Sequence, residues 1–446
     1  VSPLPETRTA YQAILEGQPS VPQPRAPSPV WATLPSLDVP LIGRDGALRC
    51  LETVYADVCV VQGKVVLISG EAGIGKSRLM QEFATRLTSE AIVVVGGGHE
   101  AEQDLPFWPL VEALRPHLPD LGRVMPNVAP AYLAELARLW PELRRLLADL
   151  PVQAHLEPDQ ERGRLFEALG SWLLGLAVQR SPLLLCLDDL HWVDGATLCW
   201  LGYFARQLTY APLMVLGSYR VEEAKVVGAL RAELLRLGCL QEVKLAGLSQ
   251  LEVLSLIRHL SGQKSGAERF SQRLFQATGG NPFFLLETLR AMLESGILWQ
   301  DKTGWSTGVD QTTEDYRELP LPDTVCEAIR VRLRRLSPQA HQVLEAGAVI
   351  GRHFSFDLAW AVSGRRRAEV VLALEELVTR QMIAESDGGC RFNHELVRRV
   401  VCGDLSHGRR LLLQRRLEKA SNKFQVGGVC TLPPYIERSE VPNRVP

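Results

Sequence analysis

The sequence lacks the features that mark secreted, metal-bound or membrane-embedded proteins. Its nine cysteines are scattered at 50, 59, 186, 199, 239, 326, 390, 402 and 430, with no C-x-x-C pair and no histidine-rich companion segment. An odd, unclustered set argues against a disulfide framework and a zinc site, and fits a reducing cytoplasm, the expected location. The most apolar long stretch, Trp172 to Leu187, is broken by Gln179 and Arg180, so neither a transmembrane helix nor a membrane partner is expected. No charged segment followed by an apolar one opens the chain, so no signal peptide is expected, and a start at Val1 points to a piece of a longer protein. Charge of one sign is missing too. The 49 Lys+Arg against 51 Asp+Glu leave a net charge of −2, which supplies no global field toward nucleic acid or membrane.

What is present is ordinary globular composition: 446 residues, 46% hydrophobic and 22% charged, enough for roughly three domains and a core that needs no staples. Residues 1–20 contain one short amphipathic segment, Pro5 to Leu15, and 21–40 carry six prolines and read as an extended linker. From Leu41 short apolar runs alternate with helical stretches. Lys64 to Ser69, Ala91 to Val95, Pro182 to Leu187, Leu213 to Ser218 and Leu240 to Leu245 are the expected strands. Ser77 to Leu87, Ala131 to Leu147 and Gln160 to Ala177 are expected helices. Mostly continuous apolar runs imply parallel strands covered on both faces, hence an α/β, doubly wound core over 41–246. Residues 247–318 read as a helical lid built on Ser249 to Leu260, Ala267 to Ala277 and Pro282 to Ser295. Within 319–420, helices precede a hairpin signal at Asp387-Gly388-Gly389 and a further helix, the pattern of a winged helix. Residues 421–446 form a tail.

The sharpest motif is Gly70-Glu71-Ala72-Gly73-Ile74-Gly75-Lys76-Ser77, which fills G-x-x-x-x-G-K-[ST] between a strand and a helix. Glycines let backbone N–H groups close on phosphates, Lys76 reaches the β/γ oxygens, and Ser77 holds Mg²⁺. The apolar strand ending in Asp188-Asp189 is expected beside the P-loop strand, with Asp188 on Mg²⁺ and Asp189 orienting or deprotonating water; the plainer alternative is helix capping. Arg220, ending the strand after it, is a candidate contact for the γ-phosphate, or a surface arginine. Gly279-Gly280-Asn281-Pro282 suits ordinary capping, Asn281 as N-cap and Pro282 at the first helical position, or a nucleotide-facing turn. Residues 319–420 hold 17 Lys+Arg against 12 Asp+Glu, with Arg330, Arg332, Arg334 and Arg335 clustered; a solvated or acid-paired face is favoured over direct DNA contact. No triad, paired-carboxylate or metal-ligand spacing stands out.

In order along the chain, LIGRDGAL (41–48), GEAGIGKSRL (70–79), LPFWPLVEAL (105–114), YLAELARLWPELR (132–144), LLLCLDDLHWVD (183–194), GSYR (217–220) and GGNPFFLLE (279–287) resemble the bacterial STAND/AAA regulatory ATPases of the maltose-activator and large LuxR type. The resemblance runs over about 39–420 and through the winged-helix part to FNHELVRR (392–399). It implies a P-loop NTPase core, lid and winged helix that bind ATP/ADP with Mg²⁺. Gly43 and Arg44 would lie near the adenine, and the loop through Arg78 around the phosphates. Asp189, Lys76 and Arg220 would serve hydrolysis, Ser77 and Asp188 the metal, and Asn281, Pro282 and His394 the nucleotide from lid and winged helix. It further implies a slow ATPase switch, an unknown effector, self-association in the ATP state, and DNA contact through flanking domains. The Pro5 to Leu15 segment resembles the end of a bacterial transcriptional activator domain. Rival expectations are a multi-turnover AAA loader or remodeller, or the same switch joined to an adenylate-cyclase or kinase output.

Overall fold

The computed structural model describes residues 39–60, 62–120, 130–147, 150–151, 157–179, 182–262, 267–301, 304–307, 321–386 and 389–425. The expected segment at 5–15, the proline-rich stretch to residue 38, the turn residues Asp387 and Gly388, and everything past 425 lie outside the described residues. The chain divides into two compact units between Leu245 and Ala246.

The first unit opens with helix α1 (Asp45–Val60), then β1 (Lys64–Gly70), α2 (Lys76–Leu87) and β2 (Ile92–Gly97). Helices α3 (Trp108–Leu114), α4 (Pro130–Leu139), α5 (Leu143–Leu146) and α6 (Pro158–Gln179) follow, then β3 (Leu183–Asp188), α7 (Gly195–Phe204), β4 (Leu213–Arg220), α8 (Gly228–Arg236) and β5 (Leu240–Lys244). The five strands form one parallel sheet in the order β2-β3-β4-β1-β5.

Each apolar run serves two cores at once. Val65 and Leu67 of β1, Leu183, Leu185 and Leu187 of β3 and Val215 of β4 pack on one face, against α3, α4, α6 and α7. Val66 and Ile68, Leu184 and Cys186, and Met214 and Leu216 pack on the other, against α1 and α2. Successive strand side chains point to opposite faces, so a run without polar interruptions is what a sheet covered on both sides demands.

Two expectations need correction. The carboxylate strand β3 does not lie beside the P-loop strand β1, because β4 pairs with both and separates them. The chain crosses from β1 to the far edge for β2 and fills the gap on its return, an order set by crossover packing rather than by either motif. The helix expected over 131–147 is two helices, α4 ending at Leu139 and α5 beginning at Leu143. Pro141 lies between them; a proline lacks the N–H that would continue the ladder. Trp140 turns inward at the break, meets Trp172 edge-on at 5.1 Å and donates from its indole to the Val111 carbonyl at 3.0 Å.

In the second unit α9 (Gln250–Ser261), α10 (Glu268–Thr278) and α11 (Pro282–Glu294) coincide with the three expected helices to within a residue or so. A hairpin, β6 (Leu298–Asp301) with β7 (Gly304–Thr307), follows that the helical reading did not include. Next come α12 (Asp323–Arg334), α13 (Pro338–Ile350), β8 (His353–Phe354), α14 (Phe356–Ser363), α15 (Arg367–Thr379), β9 (Ile383–Ser386), β10 (Gly389–Phe392), α16 (Glu395–Asp404) and α17 (His407–Gln425). Strands pair as β8-β10-β9, antiparallel, so the expected hairpin gains a third, very short strand. Helix α17 continues five residues into the expected tail. No helix among the described residues is long and apolar enough to cross a membrane.

Three of the four clustered arginines of α12 and its C-terminus are tied down internally. Arg330 forks onto Asp404, with Nη2 at 2.8 Å and Nε at 3.1 Å. Arg334 meets Glu327 at 2.6 Å, and Arg332 donates to the carbonyls of Arg380 and Gln381. Two of the four are thus paired with acids and a third with backbone carbonyls.

Candidate nucleotide-binding site

The loop from Gly70 to Gly75 joins β1 to α2, and its conformation follows from its glycines. Gly73 and Gly75 sit at φ 77° and 99°, a region side chains avoid. Ile74 between them is a buried anchor in the α1–α2 core. Arg44, itself buried, donates from Nη2 to the Ile74 carbonyl at 2.9 Å. Gly43 at φ 71° leads the chain into that arginine. The LIGR motif therefore supports the phosphate loop from behind, with Arg44 on the loop's backbone.

Lys76 opens α2. Its ammonium spans its own loop, donating to the carbonyls of Gly70 at 3.1 Å and Glu71 at 2.9 Å. Burial pushes its pKa down, while Asp189, Glu222 and Asp188 hold it up and Arg220 opposes them. A buried cation in the first turn of a helix is a place that favours an anion. Ser77 is half-buried in the first turn of the same helix. Arg78 is exposed and reaches back to the Val39 carbonyl at 3.4 Å.

The strand ends assemble the remaining groups. Register sets Gly70 opposite Arg220 and Leu187 opposite Gly217, so the C-terminal ends of β1, β3 and β4 finish side by side. Asp188 is buried at the end of β3, and its Oδ1 accepts from the Ser218 hydroxyl, a very short contact, and from the Asp189 amide at 3.1 Å. That amide also donates to Ser218 Oγ at 3.0 Å. Asp189 takes up a left-handed conformation, φ 50° and ψ 52°, which is uncommon for a residue with a side chain and clusters at functional sites. Burial first, then the neighbouring Asp188, raises its pKa; Arg220, Lys76 and His99 pull it back. Arg220 places its Cζ 5.9 Å from the Trp192 ring centroid.

Ser77 and Asp188 supply hard oxygen donors of the kind Mg²⁺ takes when phosphates and water complete its shell. Among the described residues no cluster of three His, Cys, Asp or Glu would hold a metal by protein ligands alone. The donor set fits a metal that arrives with nucleotide.

The structure thus brings Lys76, Asp188, Asp189 and Arg220 to one edge of one sheet. Asn281, Pro282 and His394 belong to the second unit. There Asn281 is fully buried and accepts from the Phe283 amide at 3.1 Å as the N-cap of α11, with Pro282 at its first position. His394 is buried, with Nδ1 2.8 Å from the Thr278 carbonyl and its ring edge-on to Phe284. A carbonyl only accepts, so Nδ1 carries the hydrogen; donating to a phosphate as well would take a doubly protonated ring.

Sequence reasoning missed Ser218, Glu222 and His99. Ser218 is legible only as a polar residue inside an apolar strand, two positions before Arg220. It also missed the role of Asp194, whose carboxylate caps α7 through the Thr197 amide and hydroxyl and accepts from the amide of Phe107, itself left-handed at φ 62°. The DDLHWVD and LPFWPL motifs therefore meet through one buried carboxylate.

Residues 40–216 match the AAA ATPase domain family. A curated relative, an uncharacterised protein of Rhizobium meliloti strain 1021, is 25% identical over 93% of this chain; the chain spans 41% of that protein's length. Among solved structures, a Walker-type ATPase of Pyrococcus abyssi is 16% identical with a TM-score of 0.49, covering 81% of this chain and 96% of that one. The ORC2 protein of Aeropyrum pernix is 12% identical with a TM-score of 0.46, over 85% and 95%. A RuvB variant of Thermotoga maritima is 13% identical with a TM-score of 0.36, over 80% and 96%.

Proposed function

We propose that the chain is the nucleotide-operated switch of a STAND-type transcriptional regulator, binding ATP or ADP with Mg²⁺ and resetting itself by slow hydrolysis. The observation that carries this reading is the convergence of Lys76, Asp188, Asp189 and Arg220 on the ends of β1, β3 and β4. The AAA ATPase match over 40–216 and the ordered motifs from LIGR to FNHELVRR support it.

The loop amides and Lys76 cradle the phosphates, and the nucleotide's negative charge answers an ammonium that burial leaves under-solvated. Mg²⁺, when bound at Ser77 and Asp188, supplies charge neutralisation of the phosphate oxygens. Asp189 takes up the proton of the attacking water, a task suited to a carboxylate whose affinity for protons burial has raised. Arg220 donates to the terminal phosphate. Phosphoryl transfer depends mainly on positioning and charge stabilisation, so this small set suffices for a slow timer.

The second unit, which we read as lid and winged helix, answers nucleotide state. ADP favours the resting form, and ATP, with an effector of unknown chemistry, favours one that self-associates. Such a shift needs a ligand that binds the two forms unequally. DNA contact, or a cyclase or kinase output, belongs to flanking domains in this scheme.

The same site serves a multi-turnover AAA loader or remodeller equally well on geometry alone, and turnover separates the two. The test is to identify co-purified nucleotide and follow ATP hydrolysis by the purified chain with and without Lys76→Ala. Tightly held ADP with very slow turnover, both lost in the variant, supports the switch. Fast, sustained, Lys76-dependent turnover supports the working ATPase instead. Absence of any nucleotide binding refutes both.

A further inference from the structure

We propose that Trp192 is the positioning residue for Arg220 and thereby sets how strongly the site prefers a nucleoside triphosphate over a diphosphate. This deepens the reading of Arg220 as the contact for the terminal phosphate and rests on it.

Arg220 ends β4 opposite Gly70, the first residue of the phosphate loop. It is close enough to lower the proton affinities of both Lys76 and Asp189. Yet among the described residues its guanidinium makes no hydrogen bond and no ion pair; the contact that places it is the Trp192 ring, 5.9 Å from Cζ. Most arginines among the described residues behave differently. Arg231 grips Glu242 through two nitrogens, and Arg330 grips Asp404 in the same way. An arginine held by an aromatic face keeps its five N–H donors for an arriving anion, whereas one forked onto a carboxylate has committed two of them and its charge already has a partner.

Trp192 is itself fixed by the catalytic turn. Its amide donates to the Asp189 carbonyl at 2.8 Å, its ring lies 5.1 Å from the buried His191, and the 3-10 turn Leu190–Trp192 links β3 to α7. The ring therefore ties the arginine of β4 to the same short turn that carries Asp189. Loss of the ring leaves Arg220 charged but free to take other rotamers, so ordering it on the terminal phosphate then costs binding energy. A diphosphate, with no terminal group to reach, does not feel the change.

The test measures affinities of the full chain for ADP and for a non-hydrolysable ATP analogue, by displacement of a fluorescent nucleotide. The proteins are wild type, Trp192→Leu, Trp192→Phe, Arg220→Ala and the Leu/Ala double variant, each checked by thermal unfolding. Trp192→Leu should reduce the triphosphate preference about two- to fivefold, the factor a partly exposed cation–π contact supplies, with ADP affinity unchanged. Trp192→Phe, which keeps a weaker ring, should fall between and stands in if the leucine variant fails to fold. The double variant should match Arg220→Ala alone, since one contact is being removed twice. Equal losses for both nucleotides, or no loss, in Trp192→Leu while Arg220→Ala does lose the preference, would show Trp192 to be packing only. If Arg220→Ala keeps the preference, the reading of Arg220 itself is wrong and the proposal goes with it.

Discussion

Nδ1 of His394, at the start of α16, lies 2.8 Å from the carbonyl oxygen of Thr278, which ends α10, 116 residues earlier. Gly279 is what lets them meet. It sits at φ 61°, and a Cβ there would fall 2.5 Å from Nδ1 and 2.8 Å from the Asn393 carbonyl. Gly279→Ala should therefore destabilise the chain by about 2 kcal/mol or more, combining left-handed strain with overpacking against the ring. Urea unfolding checks this: the midpoint should fall while the slope holds. An unchanged midpoint would mean the ring swings aside at little cost.

Ser218 offers a second test. Its hydroxyl is fully buried between the Asp188 carboxylate and the Asp189 amide. Ser218→Ala takes one partner from each and leaves them only each other, a cost of about 1–3 kcal/mol. It should also raise the Mg²⁺ concentration needed for tight nucleotide binding, because the Asp188 carboxylate loses the bond that fixes its rotamer. A Mg²⁺ titration monitored by fluorescent ADP reads this directly; wild-type Mg²⁺ dependence in the variant would separate Ser218 from the metal site.

The raised pKa of Asp189 carries two opposite consequences with pH. In the window from the ordinary carboxylate value up to the raised one, the folded chain holds a proton that the unfolded chain has lost, so stability falls as pH rises through it. Asp189→Asn should remove that slope and raise the unfolding temperature at neutral pH, by relieving repulsion from Asp188. In the proposed role of Asp189 as base, hydrolysis should run the other way, requiring the ionised form and declining as pH drops through the same window. A neutral variant that is no more stable than wild type at pH 7 would contradict the assignment of burial and Asp188 as the causes.

For the basic segment, Arg330 and Arg334 are each engaged by a carboxylate, Asp404 and Glu327, which an incoming phosphate would have to displace. Binding of duplex DNA by this chain should be weak, without the steep loss of affinity between low and moderate salt that several phosphate contacts produce. Fluorescence anisotropy across a salt series decides it, and a steep slope would overturn the structural reading of these arginines.

Much of the nucleotide core was legible because its signals are local. A glycine pattern fixes a loop's conformation, an apolar run without breaks announces a strand buried on both faces, and Pro282 after Asn281 announces a helix start. Each depends on residues within one turn or strand of one another. Strand order, the partners of Ser218, the meeting of Asp194 with Phe107, and the hold of Trp192 on Arg220 were decided by tertiary structure alone. They join residues 28 or more positions apart, or turn on which crossover packs on which face, and local propensity carries no information about either. The pairing of His394 with Thr278 is the extreme case: nothing in either neighbourhood announces it, and only the packed second unit brings the ring to the helix end.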